Sequence, residues 1–417
     1  MNKFIFEAYS FQNSTASFRY SFEGGLSFEE KVVFSDVGEY DGELLDRALF
    51  LSFILVGASY YKAFATREVE IKKGGLDEWQ VNFFNKVYQE GLSQFAFENN
   101  LTRDDLAHFQ SFGDQPKEPI SYNSTGTLAL QSGGKDSLLT ASLLLESGRD
   151  FTPWYVASGE SHPAVLDDLG HPLQTVLRQL DHAALVQARE NGGENGHVPV
   201  TYIVQSLALI QAILLGKNKI LVSIGHEGEE PHDWIGDLPV NHQWSKTWPA
   251  EQTFSQYVQR YISADITVGS PLRQYSELRI AELFVQQAWK KFGHSFSSCN
   301  KANYRQGENN QQLTWCGDCP KCANSYLLFA PFLDASELKS LFDSQDLFEK
   351  PSLLETFKGL LGIGGVMKPF ECVGEIDELR RSYHMAQLRG GYGKLPFDVP
   401  DSNFDYKVEY PSQKLNI

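Results

Sequence analysis

The chain has 417 residues, of which 42% are hydrophobic, so it can bury a large core in two or three domains. That composition excludes global disorder. Its 36 Lys and Arg residues against 53 Asp and Glu residues give a net charge of −17, which disfavours broad contact with nucleic acid backbones.

The beginning of the chain predicts a small sheet with helices packed on it. Apolar and polar residues alternate in FIFEAYSF, ASFRYSF and KVVFS, as in half-buried strands, and Gly24-Gly25 supplies a turn. Helices are expected at about 41–63 and 76–98. The apolar run at 48–66 is interrupted by Lys62, which favours a buried helix over a membrane span. The first residues lack the features of a signal peptide, and we expect a cytoplasmic protein without membrane contact.

Strands and helices alternate in the second part of the chain, after a polar stretch with two prolines at 113–126 that predicts a linker. This βαβα order predicts a parallel sheet with helices on both faces, a doubly wound α/β fold. The expected strands are 127–132, 151–158, 198–204 and 219–225, and the expected helical segments are 136–146, 162–190 and 207–216.

These patterns divide the chain into three parts. We expect a smaller α+β N-terminal domain (1–118), a parallel α/β domain that carries the chemistry (119–390) and an extended C-terminal tail (391–417).

The segment SGGKDS (132–137) joins a predicted strand to a predicted helix. In a parallel sheet, ligands bind beyond the carboxyl ends of the strands, and a helix N-terminus attracts anions. Gly133 and Gly134 let the backbone approach an oxyanion, while Ser132, Ser137 and Lys135 can add donors. The pattern is not Walker A, which needs four residues between Gly and Gly-Lys-Ser/Thr.

SGGKDS resembles the SGGxDS loop of the PP-loop ATP pyrophosphatases, which have an adenine nucleotide α-hydrolase-like fold. This resemblance implies that residues 132–137 bind the pyrophosphate of ATP and that AMP is transferred to an oxygen of the substrate. Asp136 would then help to hold Mg²⁺, which prefers carboxylate and phosphate oxygens. The alternative is that Asp136 only caps the helix.

Four cysteines form a second candidate site. Cys316, Cys319 and Cys322 follow a C-x2-C-x2-C spacing, and Cys299 precedes them. Four thiolates can close a tetrahedral structural Zn²⁺ site. A cysteine-ligated iron–sulfur cluster and reduced, unligated thiols are the alternatives.

Several further segments accompany these two sites along the chain: VNHQWSK (240–246), SPLRQYSELRIA (270–281), SCN (298–300), WCGDCPKC (315–322) and KPFECVGE (368–375). Together with SGGKDS they resemble one family, the UDP-N-acetyl-α-D-muramoyl-L-alanyl-L-glutamate epimerases (MurL), over most of 120–385. The resemblance implies an ATP- and Mg²⁺-dependent isomerase that converts the terminal L-glutamate of the UDP-MurNAc-dipeptide to D-glutamate for peptidoglycan synthesis. AMP and pyrophosphate would be released.

The residues that move the proton are less clearly marked. We expect catalytic roles for Asp136 and for Cys372, whose thiolate is a credible base for an α-proton. A small buried packing cysteine is the alternative. His242 is the next candidate base, with Lys246 nearby in the sequence as a partner for the enolate or carboxylate. His226 and His232 either bind a metal or lie in a solvated loop.

The UDP-muropeptide carries two phosphates and two carboxylates, so a chain of this charge must gather local cations to bind it. Arg273, Arg279 and Lys368 are expected to bind the substrate, because guanidinium groups suit bidentate capture of carboxylates and phosphates. For Arg279, a helical salt bridge to Glu282 or Glu277 is the alternative. Other cations near the motifs are Lys246, Lys301, Arg305 and Lys321.

Two other functions remain open. A PP-loop enzyme that makes a 7-cyano-7-deazaguanine-like amide or nitrile shares the loop and the cysteines, but it has no use for the KPFECVGE segment. The second alternative is a zinc-ribbon protein that binds RNA, and the negative net charge of the chain argues against it. The sequence leaves the oligomeric state open.

Overall fold

The computed structural model describes residues 3–113, 118–159, 161–305, 308–309, 311–413 and 415, without the side chains of residues 304, 305, 308 and 309. Residues 114–117 of the predicted linker, the side chain of Arg305, and residues 414, 416 and 417 of the predicted tail therefore lie outside the described residues.

The strands of this structure are β1 (Lys3–Gln12), β2 (Thr15–Phe22), β3 (Ser27–Phe34), β4 (Glu68–Ile71), β5 (Thr127–Leu130), β6 (Thr152–Ala157), β7 (Gln174–Gln179), β8 (Lys219–Leu221), β9 (Asp233–Ile235), β10 (Leu238–Val240), β11 (Thr267–Gly269), β12 (Tyr304–Arg305) and β13 (Glu308–Asn309).

Its α-helices are α1 (Gly42–Tyr61), α2 (Glu78–Gln89), α3 (Ser93–Glu98), α4 (Lys135–Glu146), α5 (His182–Glu190), α6 (Val200–Leu214), α7 (Trp248–Tyr261), α8 (Glu277–Gln287), α9 (Trp289–Phe292), α10 (Asn300–Asn303), α11 (Pro320–Phe329), α12 (Ala335–Ser340), α13 (Leu354–Leu360) and α14 (Ile376–Arg389).

One mixed, mostly parallel sheet of nine strands runs through the protein in the order β11-β8-β5-β6-β7-β3-β2-β1-β4. The strands from β11 to β7 are parallel neighbours, and β3 joins them by pairing antiparallel with β7. The α/β class expected from the sequence is therefore confirmed. The first three predicted strands form an antiparallel meander, but this meander continues the larger sheet instead of standing alone. The division into domains stays a prediction.

The first hairpin follows from local chemistry. Asn13 and Ser14 both have positive φ, at 48° and 60°, which a tight two-residue turn between twisted strands requires. β1 and β2 then present Phe4, Phe6 and Tyr20 to the core, all completely buried. This aromatic face packs against α1.

Helix α1 is buried over most of its surface. It begins at Asp41, whose side chain accepts from the amides of Glu43 and Leu44. The span Gly42–Phe64 is long and apolar enough to cross a membrane, but 89% of its apolar window is buried inside the protein. It packs on β1, β2 and α6, as the sequence analysis expects of a core helix.

Two secondary-structure predictions are wrong. The strand predicted at 198–204 is the beginning of α6, because a short run of β-branched and aromatic residues fits a fully buried helix equally well. Packing against α1 overrides the local β propensity. The helical segment predicted at 162–190 contains β7, which inserts between β6 and β3.

Candidate active site

A cleft of about 510 Å³ opens where the strand order reverses. From β5 the chain moves through β6 to β7 on one side, and it then returns through α6 to β8 on the other side of β5. The carboxyl ends of β5 and β8 thus flank a topological switch point, where open α/β sheets bind ligands. The cleft is lined there by Leu130, Gln131 and the segment Val222 to Ile224.

The cleft contains most residues that the sequence analysis assigned to catalysis or nucleotide binding. They come from three distant parts of the chain, namely the 132–137 loop, the segment after β10 and the loop before α14. Those that line the cleft are Ser132, Gly134, Asp136, Ser137, His242, Lys246 and Cys372.

The 132–137 loop turns directly from β5 into α4. Gly133 has φ +78°, and a Cβ at this position would lie 2.6 Å from Leu313, so only glycine fits. Ser137 Oγ accepts a 3.2 Å hydrogen bond from the amide of Ser132. The loop is thus shaped by its own hydrogen bonds, and the first amides of α4, a helix of 12 residues, face a cleft suited to an anion.

The sequence analysis expected Lys135 to add a donor for an anion at the 132–137 loop. In the structure Lys135 does not line the cleft. Its side chain is buried, and its Nζ lies 2.5 Å from Asp136 Oδ1 and 2.6 Å from Glu277 Oε2. Burial lowers the pKa of Lys135, but the two carboxylates raise it more, so the ammonium stays charged. A buried ammonium needs such anionic partners. The assignment of Lys135 to phosphate binding stays a prediction.

Glu277 closes this buried network. Burial raises the pKa of the Glu277 carboxyl above its usual range, while the charge of Lys135 opposes the rise. Its Oε1 has no hydrogen-bond partner among the described residues. Asp136 is the member that lines the cleft, and its side chain is 27% exposed.

The cleft is also lined by Lys246, Cys372 and His242. Lys246 Nζ lies 3.3 Å from Glu227 Oε2. Burial lowers the pKa of Lys246, but electrostatic interactions with Cys372, Glu227 and Asp136 outweigh burial and raise the pKa, so the ammonium stays charged. Cys372 is half-buried.

His242 is a neutral base in this environment. Burial lowers its pKa to about 4, with Lys321 and Lys246 adding to the effect and Glu371 opposing it. Its ring packs against His197, with centroids 4.3 Å apart.

The four predicted metal-ligating cysteines lie together. The Sγ atoms of Cys299, Cys316, Cys319 and Cys322 all lie within 4.8 Å of one another, and three of the pairs are 3.5, 3.6 and 3.8 Å apart. Tetrahedral zinc with Zn–S bonds near 2.3 Å implies sulfur separations of about 3.8 Å, so the donor set fits a metal such as Zn²⁺.

The cysteine site also forms part of the cleft wall. Ser297 and Ser298 come directly before Cys299, and Lys321 lies between Cys319 and Cys322; all three line the cleft. A metal ion bound by the cysteines would therefore fix the positions of these polar side chains.

The three cations assigned to substrate do not line the cleft. Arg273 is completely buried, where it donates to Glu251 and to the carbonyl of Gly225. Arg279 pairs with Glu282, as the salt-bridge alternative predicted.

Lys368 is buried and lies 2.9 Å from Glu230 Oε2. Each of the three guanidinium or ammonium groups is thus paired with a carboxylate of the protein. Their assignment to substrate stays a prediction.

Several polar residues of the cleft are not found by the sequence analysis. Both amide atoms of Gln131 and Oε1 of Gln243 are buried without a partner in the described part of the chain. Unpaired polar atoms beside a cleft are available to a ligand. The sequence signal available for Gln131 was its position between β5 and the glycine-rich loop. Nothing in the local sequence identifies His197 or Gln205 as residues of the cleft.

His226 and His232 are not brought together into a metal site. Among the described residues, the groups able to hold a metal ion include only the four cysteines. His226 stacks on Tyr410 of the C-terminal segment, with ring centroids 3.6 Å apart, and His232 Nε2 donates to the carbonyl of Pro369 at 3.1 Å.

Comparison with known proteins matches both halves of the chain to domains of the same family. A family model described as the MurL N-terminal domain matches residues 1–270, and one described as the MurL C-terminal domain matches residues 295–396.

Curated relatives named UDP-N-acetyl-α-D-muramoyl-L-alanyl-L-glutamate epimerase are similar over nearly the full length. The protein of Xanthomonas oryzae pv. oryzae (strain MAFF 311018) is 31% identical over 386 residues, which cover 91% of this chain and 84% of the relative. That of Salinispora tropica is 31% identical over 408 residues, covering 95% and 87%.

Proposed function

The chain belongs to the MurL family of UDP-N-acetyl-α-D-muramoyl-L-alanyl-L-glutamate epimerases, and from this premise we propose that it inverts the α-carbon of the terminal glutamate of a UDP-MurNAc-L-Ala-L-Glu substrate. The reaction consumes ATP, passes through an acyl-adenylate and releases AMP and pyrophosphate. Its product, the D-glutamyl epimer, is a precursor of peptidoglycan.

The chemical difficulty explains the need for ATP. The α-proton of a terminal glutamate is very weakly acidic, because the neighbouring carboxylate already carries a negative charge that opposes a carbanion. Attack of a carboxylate oxygen on the α-phosphorus of ATP forms the acyl-adenylate and expels pyrophosphate. The carbonyl is then uncharged and accepts electron density when a base removes the α-proton. Water finally releases AMP.

The observation that carries this proposal is the composition of the cleft. One cavity is lined by residues of the glycine-rich loop, Asp136 among them, and by Cys372, His242 and Lys246. An anion-binding loop and two proton-accepting side chains within one cleft suit a reaction that first activates a carboxylate and then moves a proton beside it.

Cys372 and His242 can serve the two faces of the planar intermediate, one taking the α-proton and the other returning a proton. His242 is neutral at pH 7 and is therefore able to accept a proton. Lys246, which stays charged, can stabilise the negative charge that develops on the carbonyl oxygen.

The residues present fit a magnesium ion as partner of ATP. Asp136 presents a carboxylate to the cleft, and Glu277 Oε1 nearby in the same network lacks a partner among the described residues. A hard divalent cation prefers such oxygens and supplies neutralisation of the phosphate charge. Structural Zn²⁺ is the proposed occupant of the four-cysteine site.

The testing experiment is incubation of the pure protein with UDP-MurNAc-L-Ala-L-Glu, ATP and Mg²⁺ in D₂O. The proposal predicts AMP, pyrophosphate and deuterium at the glutamate α-carbon. Pyrophosphate without α-deuterium would indicate an amide- or nitrile-forming ligase instead. Inversion at full rate without any nucleoside triphosphate would overturn the activation step.

A further inference from the structure

Gln94 links the N-terminal part of the chain to His242 in the cleft. Gln94 lies in α3, is 7% exposed, and its Oε1 is 2.6 Å from His242 Nδ1. Its other amide atom, Nε2, donates to Glu98 Oε1 at 2.8 Å. Three side chains thus form a continuous hydrogen-bonded chain from a carboxylate to an imidazole that lines the cleft.

The direction of each hydrogen bond in this chain follows from chemistry. An ionised carboxylate can only accept, so the Gln94 atom facing Glu98 must be the NH₂ group. The atom facing His242 is then the carbonyl oxygen, which also can only accept. A rotated amide would bring two oxygens to within hydrogen-bond distance of each other.

The proton of the His242 ring is therefore on Nδ1. In a neutral imidazole one nitrogen carries the proton and the other carries a lone pair, so Nε2 is the acceptor. The ring is kept neutral because burial lowers the pKa of His242 to about 4.

Nε2 is free to meet a substrate. The ring lines the cleft, and in the part of the chain that the structure describes no hydrogen bond engages Nε2. The fully buried polar atoms that lack a partner among the described residues also do not include Nε2 of His242.

We propose that Gln94 is a positioning residue, which holds His242 in the Nδ1–H tautomer so that its Nε2 lone pair faces the cleft. Glu98 orients Gln94, and Ser93 fixes the backbone by accepting a 3.0 Å hydrogen bond from the amide of Asn241. Helix α3 thus gives the N-terminal region a part in the reaction site. The kinetic consequence rests on the proposed function, whereas the tautomer itself does not.

The tautomer is measured by ¹⁵N NMR of histidine-labelled full-length protein, in which the His242 signals are those lost in His242→Asn. Wild-type His242 is expected to show a protonated Nδ1 and an unprotonated Nε2 at pH 7. Gln94→Leu removes the acceptor and should move the proton to Nε2 in part or in full. Gln94→Glu combined with Glu98→Gln exchanges the acid and the amide, so it keeps an acceptor at His242 Nδ1 and a donor between residues 94 and 98, and it should restore the Nδ1–H form.

Two further variants separate positioning from general disturbance. Glu98→Gln keeps Gln94 but removes the group that orients its amide, and it should give a mixture of tautomers. Gln89→Leu is the matched control, because Gln89 in α2 donates to the carbonyl of Ala107 and makes no contact with His242. It should leave the His242 signals unchanged.

Kinetics provide the second measurement. In Gln94→Leu, α-deuterium uptake should fall by roughly 10²-fold, within the range for loss of a general base, while KM for the UDP-dipeptide and the rate of AMP formation stay near wild type. Gln94→Glu combined with Glu98→Gln should recover most of the uptake. An unfolded variant would lose AMP formation as well.

The outcomes of these experiments distinguish a failure of the positioning proposal from a failure of the proposed function. A wild-type His242 with its proton on Nε2 overturns the inference whatever the activity. So do a tautomer and an uptake rate that both remain unchanged in Gln94→Leu. An Nδ1–H tautomer that depends on Gln94, in a protein that exchanges no α-proton, supports the positioning and overturns the proposed function.

Discussion

Lys321 Nζ donates a 2.7 Å hydrogen bond to the backbone carbonyl of Cys372. Lys321 lies between two cysteines of the four-thiol site, and Cys372 is the candidate thiol base of the cleft. The four-cysteine site is thus one hydrogen bond away from the loop that carries the candidate base. Its integrity should matter for catalysis as well as for folding.

Loss of one metal ligand should therefore reduce both stability and activity. Cys316→Ser is expected to lower the metal content, the midpoint of thermal unfolding and the rate of α-deuterium uptake, because structural zinc contributes directly to folding. Metal analysis and thermal unfolding check this. Cys372→Ser is the control, since it should keep the metal; wild-type stability of Cys316→Ser after complete loss of metal would refute a structural site.

Asp136→Asn should abolish AMP formation while the protein stays folded. The substitution keeps the shape of the side chain but removes the carboxylate that faces the cleft and pairs with Lys135. Release of AMP and pyrophosphate is the measurement. Asp150→Asn is the matched control, because the Asp150 side chain is 90% exposed and does not line the cleft.

Cys372→Ala should separate the two halves of the reaction. If the thiol moves the α-proton, AMP and pyrophosphate will still form, but uptake of α-deuterium will fall by roughly 10²-fold or more. Parallel assays of AMP and of deuterium in the same sample measure both steps. Undiminished deuterium uptake would reduce Cys372 to a packing residue.

Arg273 should prove to be a residue of stability and not of substrate binding. Removal of one partner of a buried ion pair leaves an unpaired charge, so Arg273→Met is expected to lower the free energy of unfolding by about 3–5 kcal/mol through Glu251. Arg279→Met, which breaks a partly exposed pair, should cost no more than about 1 kcal/mol. Urea unfolding measures both; a stable Arg273→Met with a raised KM would restore the substrate role.

Acid should destabilise the protein through three partly buried histidines. Burial lowers the pKa of His197 and His232 to about 3 and that of His242 to about 4, against an ordinary value of 6.5. As the pH falls below 6.5, these histidines take up protons in the unfolded chain while they stay neutral in the folded chain. The free energy of unfolding therefore decreases until about pH 3–4.

Each of these histidines contributes roughly 2 kcal/mol of this loss between pH 6.5 and 5. Urea unfolding at pH 7 and pH 5 measures it, and His232→Gln should reduce the difference between the two pH values. His182→Gln should not, since His182 is exposed. Equal stability of the wild type at both values would contradict the burial of neutral imidazoles.

The sequence predicts the local parts of the site well. The loop after β5 is recognisable because a strand, two glycines and a helix follow one another within a few residues. The cysteine site is recognisable because three of its four ligands lie within seven residues. Only the beginning of α6 is wrongly predicted as a strand, since an apolar run that is buried on all sides shows neither the helical nor the strand periodicity clearly.

By itself, then, the sequence determined the family, the α/β class, the glycine-rich loop and the clustering of the thiols, because these depend on short-range backbone geometry and spacing. Only the tertiary structure decided which groups face one another. Lys135 meets Glu277 across 142 positions, and Gln94 meets His242 across 148. The direction of an ammonium or the tautomer of an imidazole is set by such distant partners in a low-dielectric interior, and no local pattern encodes them.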